Sequence, residues 1–433
     1  MNVHIIKKGE TMKYKKIKYG PYNLHIIKTD RFKVNRLVIS FKRKTIKEEI
    51  TIRNFLSDML VTSCKKYNTQ RLMDIESSKL YGIPYGNSAY ISGKYSMMLF
   101  SMEFLNDKYT EEPIFEDAVN FMMNIIFNPN VDNNQFDEKI FKLCKKNIEN
   151  SIKSYSDNPR RLSIRRLMEN MDVNELISYH ADGYIEDLDK ITPASLYEYY
   201  KSILKKDLVD VFVLGDVQFN DVQNIIKEKM KINTIHKTSG SHTITHTSFR
   251  KRPKSVIEQK NINQSKLALG FKIKGATVYE LNFVSGIYSY ILGGGTDSLL
   301  FKNVREKNSL CYYINSNIYK VSNLMVIESG INKENYKKTV SLIKKEIKNM
   351  MLGNFNDKCI ENGKITYLNA CKDIYDSPSS LLNVYITNEY LNSGLLEDRE
   401  KEIMKVTKKD IVNFAKKISL DTIYLLEGSD DDE

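Results

Sequence analysis

The strongest constraint on this chain is an internal duplication. The phrase Lys153-Ser154-Tyr155-Ser156-Asp157-Asn158-Pro159 returns as Lys372-Asp373-Ile374-Tyr375-Asp376-Ser377-Pro378. A repeated unit of this size must build a core in each copy, so whatever one half folds into, the other must fold into as well. The match extends both ways. Upstream, Phe115, Ala118, Val119, Met122 and Ile126 fall at helical spacing, as do Tyr336, Val340, Ile343, Ile347 and Met350. Each of these helices follows an apolar strand, Met97 to Leu105 in one half and Leu324 to Ile331 in the other.

Downstream, Lys190-Ile191-Thr192-Pro193 opens a helix leading to the strand Val209 to Gly215. Val406-Thr407-Lys408 opens another leading to Thr422 to Gly428. A threonine at each start is a side-chain acceptor for the free N–H groups of the first turn. Each half begins with a strand, Arg36 to Phe41 and Lys266 to Ile273. The shared order is strand, helix, strands, long helices, helix, strand, which predicts an α+β fold with a helix-covered sheet in each half. The chain's 433 residues suit two such domains, at about 200 residues each. They divide as 1–233 and 256–433, with the polar stretch 234–255 as a solvated linker.

Composition narrows the function classes. The hydrophobic share of 41% and charged share of 28% describe an ordinary globular protein. The first twenty residues hold no apolar run long enough for a signal peptide, and no later window reaches a membrane span, which points to the cytosol and away from membranes. Cys64, Cys144, Cys311, Cys359 and Cys371 form no C-x-x-C pair and read as reduced and structural. The net charge of +12 raises the question of nucleic acid. Its lysines and arginines are dispersed among Asp and Glu, so no nucleic-acid partner is expected.

Catalytic chemistry is scarce. His242 and His246 have the i, i+4 spacing of a helical zinc site, but their segment is β-branched and lacks a glutamate for the base. His25 and His180 have no identifiable nucleophilic partner, and neither a nucleophile elbow nor a phosphate loop occurs. The most specific stretch runs from Leu292 to Tyr313. Gly293, Gly294 and Gly295 could cradle an extended peptide or simply turn between two helices. Leu299 to Lys307 reads as a short helix and Leu310 to Ile314 as the start of a strand. Arg305 and Tyr312 could then converge on a carbonyl or carboxylate, while a surface salt bridge is the plainer reading of Arg305 alone.

That stretch resembles the glycine-rich segment and R-E-K-x-x-L-x-Y motif of the insulinase/pitrilysin-type zinc peptidases, the group that includes the mitochondrial processing peptidases. The resemblance covers nearly the whole chain, with the duplicated halves, the turn Asp157 to Pro159 and the pair Gly215-Asp216. It implies two mainly antiparallel sheets covered by helices, and it implies that Arg305 and Tyr312 bind the substrate backbone beside the scissile bond, next to Gly293 to Gly295. In the family an H-x-x-E-H motif occupies the first helix of the first half. Here Asn54, Ser57 and Asp58 stand in its place. The distal glutamate ligand maps to Asn150-Ser151, with Glu149 close by. Catalytic zinc needs about three protein ligands and a base for its water. The resemblance therefore implies no catalytic residue, metal or other cofactor in this chain, with zinc expected in a partner subunit. It implies a heterodimer in which a zinc-bearing homologue cuts a peptide or protein that this chain positions. Over its first half the chain is most similar to zinc-free bacterial members linked to 5-aminopentanol modification of a translation elongation factor. The alternatives are an active metallopeptidase with an unorthodox site and a structural or assembly protein of the same fold.

Overall fold

The structure, a computed structural model, describes residues 2–7, 10–173, 175–235 and 240–428. A first sheet holds β1 (Asn2–Lys7), β2 (Glu10–Lys18), β3 (Tyr22–Lys28), β4 (Val34–Lys44), β5 (Tyr85–Ser92), β6 (Tyr95–Leu105) and β7 (Leu208–Gly215). A second holds β8 (Lys254–Lys260), β9 (Ser265–Ile273), β10 (Cys311–Tyr319), β11 (Leu324–Ile331) and β12 (Ile418–Gly428). The spatial orders are β1-β2-β3-β7-β4-β6-β5 and β8-β12-β9-β11-β10. The last five strands of the first order reproduce the second. In both, the outermost of the five lies parallel to the final strand, and every other neighbour is antiparallel. The duplication is therefore a duplication of topology, and the α+β expectation with mainly antiparallel sheets holds.

One face of each sheet is covered by helices of the same half. Against the first lie α1 (Ile50–Thr62), α2 (Phe115–Phe127), α3 (Glu138–Ser154) and, after α4 (Pro159–Met171), α5 (Pro193–Lys206). Against the second lie α6 (Ser285–Gly293), α7 (Tyr336–Leu352), α8 (Asp357–Ile374) and, after α9 (Pro378–Leu391), α10 (Lys408–Ala415). Thr192 and Thr407 each cap their helix in a reciprocal box, accepting from the N–H of Ser195 and Asp410.

The opposite faces are covered as well, by helices that trade halves. One compact unit comprises the residues up to Lys153, His180–Gly240 and Ser377–Ile386. The other comprises Ser154–Tyr179, Ser241–Asp376 and the residues from Thr387. The exchanged pieces are α4 and the first part of α9, each starting at the proline of the repeated phrase. In the second unit α4 lays Leu162, Leu167 and Met171 on Ala268, Val326, Tyr424 and Leu426. The approach is close enough that a β-carbon on Gly270 would come 2.4 Å from the Met171 sulfur. Arg160 of α4 also grips buried Glu328 through its Nε at 2.7 Å. In the first unit Tyr385 of α9 lies tilted against the Tyr14 ring at 4.8 Å, and its hydroxyl meets the Met12 sulfur at 3.5 Å. This cover explains why β7 and β11 are almost continuous apolar runs: a strand buried on both faces loses its alternation.

A buried ion pair recurs at one place in both units. Lys42 lies across from Leu208 and binds Asp210 at 2.8 Å. Lys272 lies across from Ser419 and approaches Asp421 at 3.4 Å, so each aspartate sits two residues beyond its lysine's partner. Lys272 also binds Asp172, the residue that ends α4, at 2.6 Å. His25 joins the first pair through its Nε2, 3.5 Å from Asp210.

Two features depart from the sequence reading. Three strands fill the first 28 residues, although their lysines mask the alternation. The stretch read as a solvated linker is anchored in part, at His242, Ile244 and His246, with residues 236–239 outside the described residues. His242 is fully buried against the Tyr390 ring, Ile244 donates its N–H to the Val321 carbonyl at 2.7 Å, and His246 pairs with the Ser322 carbonyl at 2.8 Å. Its β-branched residues find apolar cover in the second unit, which outweighs the polar composition. The five cysteines are free, and no helix among the described residues is long and apolar enough to cross a membrane.

Candidate functional site

Helix α1 is pinned by Arg53, which is 2% exposed and donates to the Asp207 carboxylate at 2.6 Å and the Phe41 carbonyl at 2.8 Å. Burial works against its charge, but Asp207 and Tyr199 more than offset this and keep the guanidinium protonated. The neighbouring face of α1 opens into a cavity of about 230 Å³ lined by Asn54, Ser57, Asp58, Asn87, Ser88, Ala89, Ile148, Ser151 and Asp182. The three motif positions singled out in the sequence are thus brought together. They are joined by Asn87 and Ser88 from strand β5, Ile148 and Ser151 from α3, and Asp182 from a loop.

These groups satisfy one another. Asn87 donates its amide to the Ser57 hydroxyl at 2.8 Å and the Asp58 carboxylate at 2.7 Å; Ser57 donates to the Asn54 carbonyl at 2.8 Å, and Asn54 donates to the Ala181 carbonyl. Burial raises the Asp58 carboxyl above its ordinary value, with the Asn87 bond working the other way. Glu149 does not line the cavity and pairs along α3 with Lys153. The donor set does not fit zinc. It offers carboxylates and amides but no imidazole, and the Asn54 and Asn87 nitrogens are spent as donors. Ser57, where a base would be needed, is itself a donor to the backbone.

Strand β5 is the edge of its sheet, paired only with β6. Its residues Asn87 to Ala89 line the cavity, and an edge strand is the geometry that accepts an added extended strand. Asn87 and Asp182 were invisible to motif reading. Their only signal is the small polar run Gly86-Asn87-Ser88-Ala89 inside a strand.

In the second unit Gly293 ends α6 so close to β10 that a β-carbon would lie 2.9 Å from the Ser316 side chain. Gly294 is equally tight against Tyr290, while Gly295 faces open space. A wide helical turn over Phe301–Glu306 follows. Arg305 on that turn is exposed, lies over the Phe301 ring at 4.6 Å and makes no salt bridge among the described residues. Tyr312 is 62% exposed and occupies a bulge in β10, where pairing steps from Cys311 opposite Ile331 to Tyr313 opposite Gly330. A bulge re-aims its side chain, and β10 is again an edge strand. No hydrogen bond or ring contact joins Arg305 to Tyr312; both face solvent from adjoining elements.

A duplicated five-strand topology, with side chains at the α1 cavity that do not fit zinc, is similar to that of insulinase-type peptidase homologues of the inactive kind. Residues 190–367 match the family model of the peptidase M16 inactive domain. Over 418 residues it is 29% identical to the probable inactive metalloprotease YmfF of Bacillus subtilis, covering 96% of this chain and 98% of that one. The uncharacterized zinc protease YmxG of the same bacterium is 24% identical over 234 residues, 53% of this chain and 55% of its own length. A conserved protein from Enterococcus faecalis superposes with a TM-score of 0.90 at 28% identity, over 97% of this chain and all of that one.

Proposed function

We propose that this chain is a non-catalytic subunit that holds a peptide or protein substrate for a zinc-bearing insulinase-type homologue. The observation that carries the reading is the cavity at α1. It keeps its place beside an edge strand, while its side chains bind one another. The Arg305 fork and the Tyr312 hydroxyl are suited to donate to substrate carbonyls, and an edge strand such as β5 is suited to take up an extended peptide through its backbone. That a zinc protease stands among the relatives supports a division of labour between two chains of this family. We place the substrate in the pathway that modifies a translation elongation factor, and the partnership in the cytosol.

The test is peptide cleavage by this chain, by a zinc-bearing homologue, and by both together. Turnover is expected only where the homologue is present, rising when this chain is added. Turnover by this chain alone, or about one tightly bound zinc per chain, would overturn the proposal. Unchanged turnover by the pair after Arg305→Ala and Tyr312→Phe would favour an assembly role. Loss of the modified elongation factor in cells lacking this chain tests the pathway.

A further inference from the structure

A second cavity in the first unit lies away from α1, at the end of the sheet where β4, β6 and β7 meet α2 and the helix Phe219–Lys229. Its volume is about 600 Å³, within the range of small-ligand sites. Its floor includes Asn35, which is 1% exposed. The Asn35 Oδ1 accepts from Asn106 at 3.2 Å, and its Nδ2 has no partner among the described residues. A β-carbon on Gly215 would fall 2.0 Å from that Oδ1, so the glycine is what lets the amide sit there. The amide lines the cavity, where an acceptor can meet that donor.

The rim is acidic in a chain whose net charge is +12. Asp216 is neutralised by Lys108 and Glu116 by Lys229. Asp117 and Asp221, on the two helices, line the cavity, are exposed and take part in no salt bridge among the described residues. The corresponding end of the second sheet holds a smaller cavity, about 220 Å³, lined by Lys333 and Glu334 together with Ser265, whose hydroxyl accepts from the Gly428 N–H at 3.0 Å.

We infer that this cavity binds a basic peptide segment, with a backbone carbonyl on Asn35 and the cationic side chain between Asp117 and Asp221. The site is separate from the α1 cavity and does not depend on the function proposed for it. The probes are an acetylated, amidated Ala-Arg-Ala peptide, its citrulline counterpart of the same shape without the charge, and Ala-Glu-Ala, titrated calorimetrically into the full chain. The arginine peptide is expected to bind saturably and at least about tenfold more tightly than the others. Asp117→Lys and Asp221→Lys, exposed substitutions that leave the fold intact, should each weaken it by about the same factor. Asn35→Leu, checked for folding, should do likewise. Equal binding of the arginine and citrulline peptides, indifference to both charge reversals, or no saturable binding would overturn the inference.

Discussion

The two sheets share a strand order, a helix cover and a buried lysine–aspartate pair, yet their exposed edges carry different groups. The first presents β5 beside a cavity of amides, hydroxyls and carboxylates; the second presents a bulged β10 with Tyr312 aimed at solvent near Arg305. What the copies share is what the fold requires, and where they differ is where function is to be sought.

The comparison can be broken most sharply at the shared ion pairs. Removing one partner of a buried pair leaves an unpaired charge and costs about 3–5 kcal/mol. Asp210→Ala and Asp421→Ala should each lose stability of that order in urea unfolding. A cost below about 1 kcal/mol for either would show that the two pairs are not equivalent supports.

The exchanged helices come next. Leu167 and Leu381 are both fully buried, and Leu→Ala at either should cost about 2–4 kcal/mol. If only one is costly, one exchange is decorative. Unfolding followed separately by probes in each unit should still give a single transition, because each unit is completed by a helix from the other half of the chain.

Acid and alkali should separate the units. Burial alone would raise the Asp210 carboxyl, but His25 and Lys42 outweigh it and hold it well below the ordinary value. Its contribution is present at neutral pH and is lost as pH falls below about 4. Lys42→Met should remove much of that acid dependence. In the second unit burial, with Arg399 adding to it, pulls the Lys320 ammonium down to about 8. Between that pH and about 10.4 the unfolded chain holds a proton that the folded chain has released, so this residue's contribution to stability rises with pH. The stability difference between Lys320→Met and wild type should therefore shift steadily across that window in favour of wild type. A constant difference would show that Lys320 keeps an ordinary pKa.

The smallest effects on stability belong to the second edge. Arg305→Ala and Tyr312→Phe should move unfolding by less than about 0.5 kcal/mol, as exposed substitutions do. A large loss would show that these residues hold the fold and would weaken the case for substrate contact.

Much of this was legible in the sequence because it depends on local periodicity. The strands from Val209 and Leu324 and the helices capped by Thr192 and Thr407 announce themselves within a dozen residues. The positions Asn54, Ser57 and Asp58 were legible only through the family resemblance, which maps its motif onto them. What stayed hidden depends on contacts across the chain. Asn87 reaches Ser57 from another strand, Asp182 arrives on a loop, and α4 packs on strands more than ninety residues downstream of its start. His242 read as solvated because nothing in its neighbourhood predicts Tyr390.

The trade of helices at the repeated proline also has a consequence for synthesis. When a ribosome has made the first sheet through Gly240, the strand face that receives Ser377–Ile386 still lacks its cover. At about 5–20 residues per second, the missing helix follows roughly 7–30 s later. During that interval the nascent chain carries a nearly finished sheet with an apolar flank, an obvious client for chaperones that recognise unfinished proteins. A gene cut at the apparent boundary between the halves would yield two such fragments, neither able to finish its own core.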